Sequence, residues 1–559
     1  KTQPIDTMRN PLQIPIGLEL ANQKPWQLLT LILFTVVGRG IFGQLETIKG
    51  SLYSPPLQQW ILSQPTSSPI SELQFGGTRG KSGVPTYGED PLLELELHGA
   101  IAGAVIQDDE VADFNTSNPF PIFHRNRVVD SFFAAPSEST SRDLKEDIHE
   151  RAQQIQDFLV STRRELHRYP ELMYNEEKTS AYVQSVLRQL DIPFTTGWGK
   201  NTNDKIPGPG GYGIVADIGT GGEPCVLLRA DMDALPILEL TNGIDDFKSR
   251  HEGKMHACGH DGHSTMLLGA AALLKDMEAS INGTIRLMFQ PAEEGGAGGK
   301  RMREEGVLTQ YPRPQQAFAM HVWPHLPSGT IASRPGPVKA AADRFEIVIS
   351  GVGGHAGYPH LTVDPIVTAS SIVMSLQTIV SRTVSPLDSG VVSVTKFEAG
   401  QAFNTIPGSA LLRGTIRALS PETLVTLRDR VDHIVRSQAA VHGCNVTIQY
   451  SADFYPPLIN DPELYESFSK EVGELVSESG SVVGVEPTMG AEDFSFVAET
   501  IPSTFFLLGT GSGQSPETNL GLHNPHFAID EAVLPRGVEL HVNLALRALQ
   551  RLSQDDRML

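Results

Sequence analysis

A nine-residue stretch, MHACGHDGH (residues 255–263), holds three histidines, one cysteine and one aspartate. Within it, Cys258 and His260 stand two residues apart, ahead of an apolar run that predicts a helix over 264–277. Cysteine sulfur, histidine nitrogen and carboxylate oxygen are the atoms that bind zinc-like ions in proteins. The stretch therefore predicts one part of a metal site, on a turn just before a helix.

Other segments contain side chains that could complete such a site. Glu293 and Glu294 are adjacent, directly after a predicted strand, His321 lies in the next predicted strand, and His523 lies near the C-terminus. Two ions about 3.5–4 Å apart form a clamp for hydrolysis, because together they polarise a carbonyl group and supply a hydroxide. Of two adjacent glutamates, one can bind metal while the other stays free as a general base.

The alternative interpretation of these residues is structural. A single cysteine or histidine more often packs in a core than binds metal, and a Glu-Glu pair is usually solvated. We favour the metal site because several such motifs each stand at the end of a predicted strand or in the loop after it, where open α/β sheets place their chemistry. Asp231 and Asp233 likewise stand at the end of a predicted strand, the apolar run CVLLRADM (225–232).

Hydrophobic periodicity divides the chain after residue 145 into three parts. Helices and strands alternate over 146–334 and again over 452–559, which predicts an α/β fold. Between them, residues 335–451 follow the order β-α-β-β-α-β, which indicates a compact α+β insert. We therefore expect a catalytic domain in two parts, 146–334 and 452–559, split by this insert. Apolar residues from Asp147 to Leu166 recur at the spacing of one helix.

Residues 1–145 are rich in Pro, Gly, Ser and Gln and lack sustained periodicity, which predicts a poorly ordered leader. Within it, PWQLLTLILFTVVG (25–38) is uncharged but shorter than the roughly 20 residues that span a bilayer. The segment is either the apolar part of a targeting signal or a buried segment. The first alternative places the protein in an organelle or the secretory pathway, and the second in the cytoplasm.

The chain has 559 residues and a net charge of −21. This charge argues against nucleic-acid or anionic-membrane partners, because both attract clustered Lys and Arg. A small anionic substrate remains compatible with it, since one local arginine can hold a carboxylate. The three cysteines, Cys225, Cys258 and Cys444, are no disulfide framework. We expect a small-molecule partner, no nucleic acid and no firm membrane association.

Residues 147–555 resemble the M20 metallopeptidases, in the amidohydrolase branch that includes plant auxin-amino-acid hydrolases, hippurate hydrolases and bacterial N-acyl-amino-acid amidohydrolases. The resemblance is specific because eight motifs occur in the same order. They are LRADMDALP (228–236), MHACGHDGH (255–263), QPAEEGGAGG (290–299), MHVWPHLPSG (320–329), GVGGHAGYPH (351–360), FNTIPGSALLRGTIR (403–417), MGAEDFSF (489–496) and GLHNPHFAIDE (521–531).

This resemblance implies a di-metal catalytic domain of exopeptidase type, with two divalent ions per subunit. Zinc or manganese is expected, and cobalt or nickel also suits mixed sulfur, nitrogen and oxygen ligands. Glu293 would be the general base that takes a proton from water and returns it to the leaving amine. The implied metal ligands are Cys258, His260, Glu294, His321 and His523.

The insert resembles the lid domain of this family, which often also forms the dimerisation surface, so a homodimer through the lid is expected. His355 resembles the lid histidine that stabilises the tetrahedral oxyanion, in some cases from the partner subunit. Asn404 and Arg417 are expected to contact the substrate carboxylate, and Asp233 to orient a ligand histidine.

The expected reaction is metal-dependent hydrolysis of the amide bond of N-acyl-amino acids, of auxin-conjugate or hippurate type, to a carboxylic acid and a free amino acid. One alternative is a dipeptidase or aminoacylase of the same superfamily. Another is an inactive protein that only binds N-acyl-amino acids. The presence of Glu293, Cys258 and His321 argues against the inactive alternative.

Overall fold

The computed structural model describes residues 144–476, 481–513 and 517–555. The predicted leader, except for its last two residues, and the apolar segment 25–38 lie outside these ranges. Within them, no helix combines the length and the apolar character needed to cross a bilayer.

The larger of two main sheets has eight strands and is mixed, in the order β1-β2-β4-β3-β5-β16-β6-β15. Every residue of β3 and β4 is buried, as expected for central strands that are covered on both faces. β3 pairs in parallel with β4 and β5, and β5 with β16, so their carboxyl ends meet at one edge. The strands, numbered in chain order, are β1 (Phe194–Lys200), β2 (Gly210–Gly219), β3 (Cys225–Asp231), β4 (Thr284–Gln290), β5 (Pro314–Pro327), β6 (Ile331–Ser333), β15 (Val483–Gly484) and β16 (Ser503–Gly511).

Helices cover both faces of this sheet, which confirms the α/β class. One helix, α4, is buried from His260 to Leu274 and packs between the sheet and α12, because it is apolar on all sides. The helices of this part are α1 (Leu144–Gln154), α2 (Gln156–Arg168), α3 (Glu177–Gln189), α4 (His260–Asp276), α5 (Glu293–Gly296), α6 (Gly298–Glu304), α10 (Pro462–Val476), α11 (Ser495–Ala498) and α12 (Leu534–Asp555).

Two helix predictions need correction. The helix expected from Asp147 to Leu166 is two helices, α1 and α2, which are interrupted at Ile155. Ile155 is buried, so the break keeps apolar residues of both helices in the core. The helix expected from residue 264 begins four residues earlier, so His260 is the first residue of α4 rather than part of the preceding turn.

A second, four-stranded antiparallel sheet has the order β10-β12-β8-β13. Buried and half-buried residues alternate along β12, because one face packs against helices and the other does not. The buried residues of this sheet and of the helices that pack on it form an apolar core separate from that of the larger sheet. Its elements in chain order are β8 (Ala341–Ser350), β9 (Gly354–His355), α7 (Pro365–Leu376), α8 (Thr378–Arg382), β10 (Gly390–Ala399), β11 (Thr405–Ile406), β12 (Ser409–Ala418), α9 (Pro421–Val441) and β13 (Asn445–Tyr450).

The two chain segments that join the sheets run side by side. β7 (Gly336–Lys339) pairs antiparallel with β14 (Leu458–Asn460). A little further along, Ala342 and Tyr455 exchange two backbone hydrogen bonds, each 2.9 Å long.

Candidate metal centre

The turn before α4 places Cys258 and His260 against β5. Gly259, between them, has a φ of +90°, in the left-handed region that favours glycine. A Cβ atom at Gly259 would lie 2.3 Å from Cγ2 of Val322 on β5, so a larger residue does not fit. The close approach brings both donor side chains to His321, the neighbour of Val322.

Cys258, His260 and His321 form one group whose donor atoms all lie within 4.8 Å of one another. Sγ of Cys258 is 3.4 Å from Nε2 of His321. Nδ1 of His321 lies 2.7 Å from the Val322 carbonyl oxygen, so it must carry the proton and donate. This bond leaves the lone pair on Nε2, which faces Cys258 and is the form that binds metal.

Cys258, Glu294 and His523 form a second group, which shares Cys258 with the first. Nε2 of His523 is 3.2 Å from Oε1 of Glu294. The backbone N–H of His523 donates to the Ala257 carbonyl at 2.8 Å, which holds this C-terminal segment beside Cys258. His523 has a φ of +61°, a conformation that is rare for residues other than glycine and is concentrated at functional sites.

The structure thus brings together all five predicted ligands, and their chemistry fits a cation. Among the described residues, both ring nitrogens of the buried His260 and Oε1 of Glu294 find no hydrogen-bond partner of acceptable geometry. Buried polar atoms normally have a partner, because leaving them without one costs free energy. A divalent ion would provide that partner, and the mixed sulfur, nitrogen and oxygen donors suit zinc or manganese.

The adjacent glutamates have opposite electrostatic environments. Burial would raise the pKa of Glu294, but the charges of His523 and His260 outweigh it and hold that pKa at about 2. Burial and the negative charges of Glu492 and Glu294 raise the pKa of Glu293 well above its usual range. Glu294 is therefore ionised and suited to a cation, whereas the raised pKa of Glu293 suits a group that takes up and releases a proton.

The backbone around these glutamates is sharply bent, which lets adjacent side chains meet different partners. Ala292, Gly295 and Ala297 all have positive φ values, at 58°, 102° and 57°. The carboxylate of Asp233 accepts hydrogen bonds from the backbone N–H groups of Glu293 and Glu294, each at 2.9 Å. Positive φ values at residues other than glycine are strained, and the hydrogen bonds from the surrounding residues keep the backbone in this conformation, as is typical of functional sites.

Asp233 therefore does more than the sequence predicted. The expected partner was a ligand histidine, and Oδ1 of Asp233 does lie 3.4 Å from Nδ1 of His260. The hydrogen bonds of Asp233 run instead to the bent segment 292–297, which contains Glu293 and Glu294 and is called the glutamate loop below. Its role in orienting a histidine remains a prediction.

The sequence did not predict the buried charge cluster that lies beside Glu293. The guanidinium of Arg229 lies 2.6 Å from Asp231, 3.0 Å from Glu492 and 2.9 Å from Asp493. Glu492 and Asp493 also have carboxylate oxygens within 4.8 Å of that of Glu293. One positive charge thus offsets several buried acids next to the proposed base. In the sequence, Arg229 and Asp231 occur together in LRADMDALP, but that motif gives no indication of the distant acids Glu492 and Asp493.

His263 is explained by two contacts. Its Nδ1 lies 2.6 Å from Oδ1 of Asp231, and its Nε2 accepts the Val322 N–H at 2.9 Å. The ring is therefore held between β3 and β5 with both nitrogens engaged, and it supports the ligands instead of joining them.

The other predicted site residues lie on the part of the chain that carries the smaller sheet. His355 is exposed on β9, and the carbonyl of Asn404 accepts the N–H of the adjacent Ala356. Within the described ranges, no hydrogen bond or ion pair joins the side chain of His355 or Asn404 to the clustered ligands. Arg417 does contact the part of the chain after residue 452, since its Nη1 lies 3.5 Å from the Met489 carbonyl oxygen. The roles of these three residues remain predictions.

A tyrosine hydroxyl holds the glutamate loop in place. The hydroxyl of Tyr455 accepts the N–H groups of Gly295 and Ala297, each at 3.0 Å, and donates to the Glu293 carbonyl at 2.5 Å. We expect Tyr455→Phe to lower kcat about 10-fold or more while KM changes less than about threefold, because it leaves two buried backbone groups and one partly buried N–H without this partner. Steady-state kinetics with metal-loaded protein measures this.

The control for that variant is Tyr182→Phe. Tyr182 is also buried, but its hydroxyl lies 3.4 Å from Thr162 on α2, away from the loop. Equal losses of activity in both variants would show that the effect is general destabilisation, and an unchanged kcat for Tyr455→Phe would refute the role of the hydroxyl.

These features define a metal-dependent hydrolase: donor clusters at the carboxyl ends of parallel strands, with a free carboxyl group of raised pKa beside them. The profile of peptidase family M20/M25/M40 matches residues 227–547. The chain belongs to this family, and it is a metal-dependent amide hydrolase. The resemblance found in the sequence is thereby confirmed.

Individual relatives match most of their own length. IAA-amino acid hydrolase ILR1-like 2 of Arabidopsis thaliana is 44% identical over 403 residues, 71% of this chain and 86% of that protein. N-acetylcysteine deacetylase of Bacillus subtilis is 36% identical and is covered over 97% of its length, or 70% of this chain. A solved dinuclear metal-binding peptidase of the M20 family from Bacillus subtilis has a TM-score of 0.59 at 33% identity, and covers 71% of this chain and 99% of its own. The donor groups and this dinuclear relative support a site for two divalent ions.

Proposed function

We propose that the protein hydrolyses the amide bond of N-acyl-amino acids and releases a carboxylic acid and a free amino acid. The observation that carries the proposal is the pair Glu293 and Glu294, one with a raised and one with a lowered pKa, beside five clustered donor side chains. The substrate class is supported by relatives that are named as an IAA-amino acid hydrolase and an N-acetylcysteine deacetylase.

In the proposed mechanism, each group of the site has one task. Two divalent ions, when bound, polarise a carbonyl group and lower the pKa of water. Glu293 takes up the proton of the attacking water and returns it to the leaving amine, which must be protonated before it departs. The proposed ligands are Cys258, His260, Glu294, His321 and His523.

We further propose that residues 335–451 form a lid and dimerisation domain that divides the catalytic domain into 146–334 and 452–559. Support comes from its separate apolar core and from large apolar side chains that it exposes. Exposed large apolar side chains of this kind suit a protein interface. In a homodimer formed there, His355 would stabilise the oxyanion and Asn404 would contact substrate. The exposed side chains include Val352, Tyr358, Leu361, Val367, Met374 and Phe403.

A second candidate is cleavage of peptides. Thermostable carboxypeptidase 1 of Saccharolobus solfataricus is 38% identical, over 72% of this chain and 99% of that protein. Both candidates share the reaction, hydrolysis of an amide that joins an acyl group to an amino acid. They differ only in whether the acyl group is itself an amino acid.

The test is amino-acid release by protein that has been stripped with chelator and then given Mn²⁺ or Zn²⁺ separately. The panel contains indole-3-acetyl-, benzoyl- and acetyl-amino acids and simple dipeptides, with a Glu293→Ala protein in parallel. Metal-restored release that Glu293→Ala abolishes supports the proposal, and the ranking separates the two candidates. Absence of release from metal-loaded protein would favour a binding protein instead.

A further inference from the structure

Lys339, the last residue of β7, is mostly buried, and its ammonium has no counter-ion within the ranges that the structure describes. Its relative exposure is 6%. Among the residues that the structure describes, no carboxylate lies within 4.0 Å of its Nζ, and the ammonium makes no hydrogen bond. Nζ lies instead 5.6 Å from the ring centre of Trp323 and 5.6 Å from that of Phe505.

This environment compensates only part of the cost of burial. Aromatic faces attract a cation because of their negative quadrupole, but more weakly than an anion does. Ammonium groups that leave water are normally paired with an acid. Within the described ranges, Nζ is not one of the fully buried atoms that lack a partner, so the ammonium reaches the space beside the two rings and is open to an anion.

The ammonium lies next to the metal centre. His321 and Trp323 are two residues apart on β5, so their side chains lie on the same face of the sheet. Leu507 of β16 pairs with His321, and Phe505 stands two residues before Leu507, so Phe505 lies on this face as well. The rings of Trp323 and Phe505 lie 6.3 and 6.4 Å from the ring of His321.

We propose that Lys339 binds the free carboxylate of the amino-acid part of the substrate. This inference rests on the proposed function, because every N-acyl-amino acid carries that carboxylate. Only the amide nitrogen and one carbon separate it from the scissile carbonyl, so the two groups lie within about 4 Å. A carboxylate held by Lys339 thus stays beside the clustered ligands, and the ion pair favours substrates that carry the charge over those that lack it.

The inference goes beyond the sequence-based expectation for substrate binding, which named Asn404 and Arg417. Lys339 and Arg417 approach the same loop, because Lys339 forms a backbone bridge to Thr488 and Arg417 lies beside the Met489 carbonyl. Lys339 differs in being buried and without a partner in the described chain. It is therefore a specificity-determining residue, and the acyl part of the substrate is recognised elsewhere.

The experiment compares Lys339→Met with the unaltered metal-loaded protein on benzoyl-glycine and benzoyl-glycinamide, which differ only in the charge. We expect KM for benzoyl-glycine to rise about 10-fold or more and kcat to stay within about threefold, since a charge-assisted bond is lost. Kinetics with benzoyl-glycinamide should be unchanged, so the preference for the acid collapses. Lys339→Arg should restore part of it. The matched control is Lys275→Met, at the far end of α4, where the lysine pairs with Glu278.

Equal losses on the acid and the amide would overturn the proposal, because they would assign Lys339 a purely structural role. Calorimetric titration of benzoyl-glycine into the Glu293→Gln protein, with and without Lys339→Met, measures binding without turnover. Unchanged affinity in the double variant would also overturn the proposal. If the unaltered protein hydrolyses neither compound but loses affinity for benzoyl-glycine with Lys339→Met, the proposed function fails and the carboxylate site stands.

Discussion

Replacing Glu293 with glutamine should lower kcat by roughly 10²–10⁴-fold while both metal ions stay bound. Glutamine keeps the shape of the side chain but cannot accept a proton from water. Because Glu492 and Glu294 repel a negative charge at this position, the neutral side chain should leave the unfolding temperature unchanged or higher. Steady-state kinetics, metal analysis and thermal unfolding measure the three quantities.

The neighbouring Glu294→Gln is the matched comparison, since it makes the same change one residue along. Glu294 is ionised beside His523 and His260 and is a proposed ligand. We expect this variant to lose activity by losing metal, so excess Mn²⁺ or Zn²⁺ should restore part of it. Excess metal should not rescue Glu293→Gln. If it did, or if Glu293→Gln kept its kcat, Glu293 would not be the base.

Replacing Cys258 with serine should have the second largest effect, because Cys258 belongs to both donor groups. A thiolate binds zinc-like ions far better than a neutral hydroxyl does. We expect less than half of the normal metal content and a loss of activity of about 100-fold or more, since even residues that only support metal ligands cost about 10–100-fold. Metal analysis after gel filtration, together with the activity assay, measures this.

Removal of the metal should also lower stability. Ligand present at about 100-fold over its Kd contributes about 2.7 kcal/mol to the folded state. We therefore expect chelator to lower the unfolding temperature of the unaltered protein by about 3–8 °C and that of Cys258→Ser by much less. The control is Cys444→Ser, a cysteine buried in the core beside the smaller sheet, whose Sγ lies 3.1 Å from Oγ1 of Thr368 on α7. A similar loss of metal in the control would contradict the assignment of Cys258.

The five proposed ligands were named from the chemistry of their motifs and from the resemblance to the M20 family, and the structure brings their donor atoms close together. Two of the short spacings were visible in the sequence itself. Cys258 and His260 are two residues apart and Glu293 and Glu294 are adjacent, so their proximity is imposed by the covalent chain. The α/β class followed for a similar reason, since alternation of buried strands and helices is a local pattern. The single helix predicted over Asp147 to Leu166 failed because its break at Ile155 depends on packing rather than periodicity.

The sequence named Glu293 as the base only through the family resemblance, and the tertiary structure supplies the physical reason why it differs from Glu294. Glu293 and Glu294 are the same residue type at adjacent positions, and burial with different charged neighbours drives their pKa values in opposite directions. Their supports are distant in the chain: Tyr455 is 162 residues from Glu293, and Arg229 is 264 from Asp493. Lys339 is an ordinary lysine in the sequence, and it becomes an anion site only because the fold buries it between Trp323 and Phe505. Charge acts through space and depends on burial, so pairs of this kind leave no local pattern in the sequence.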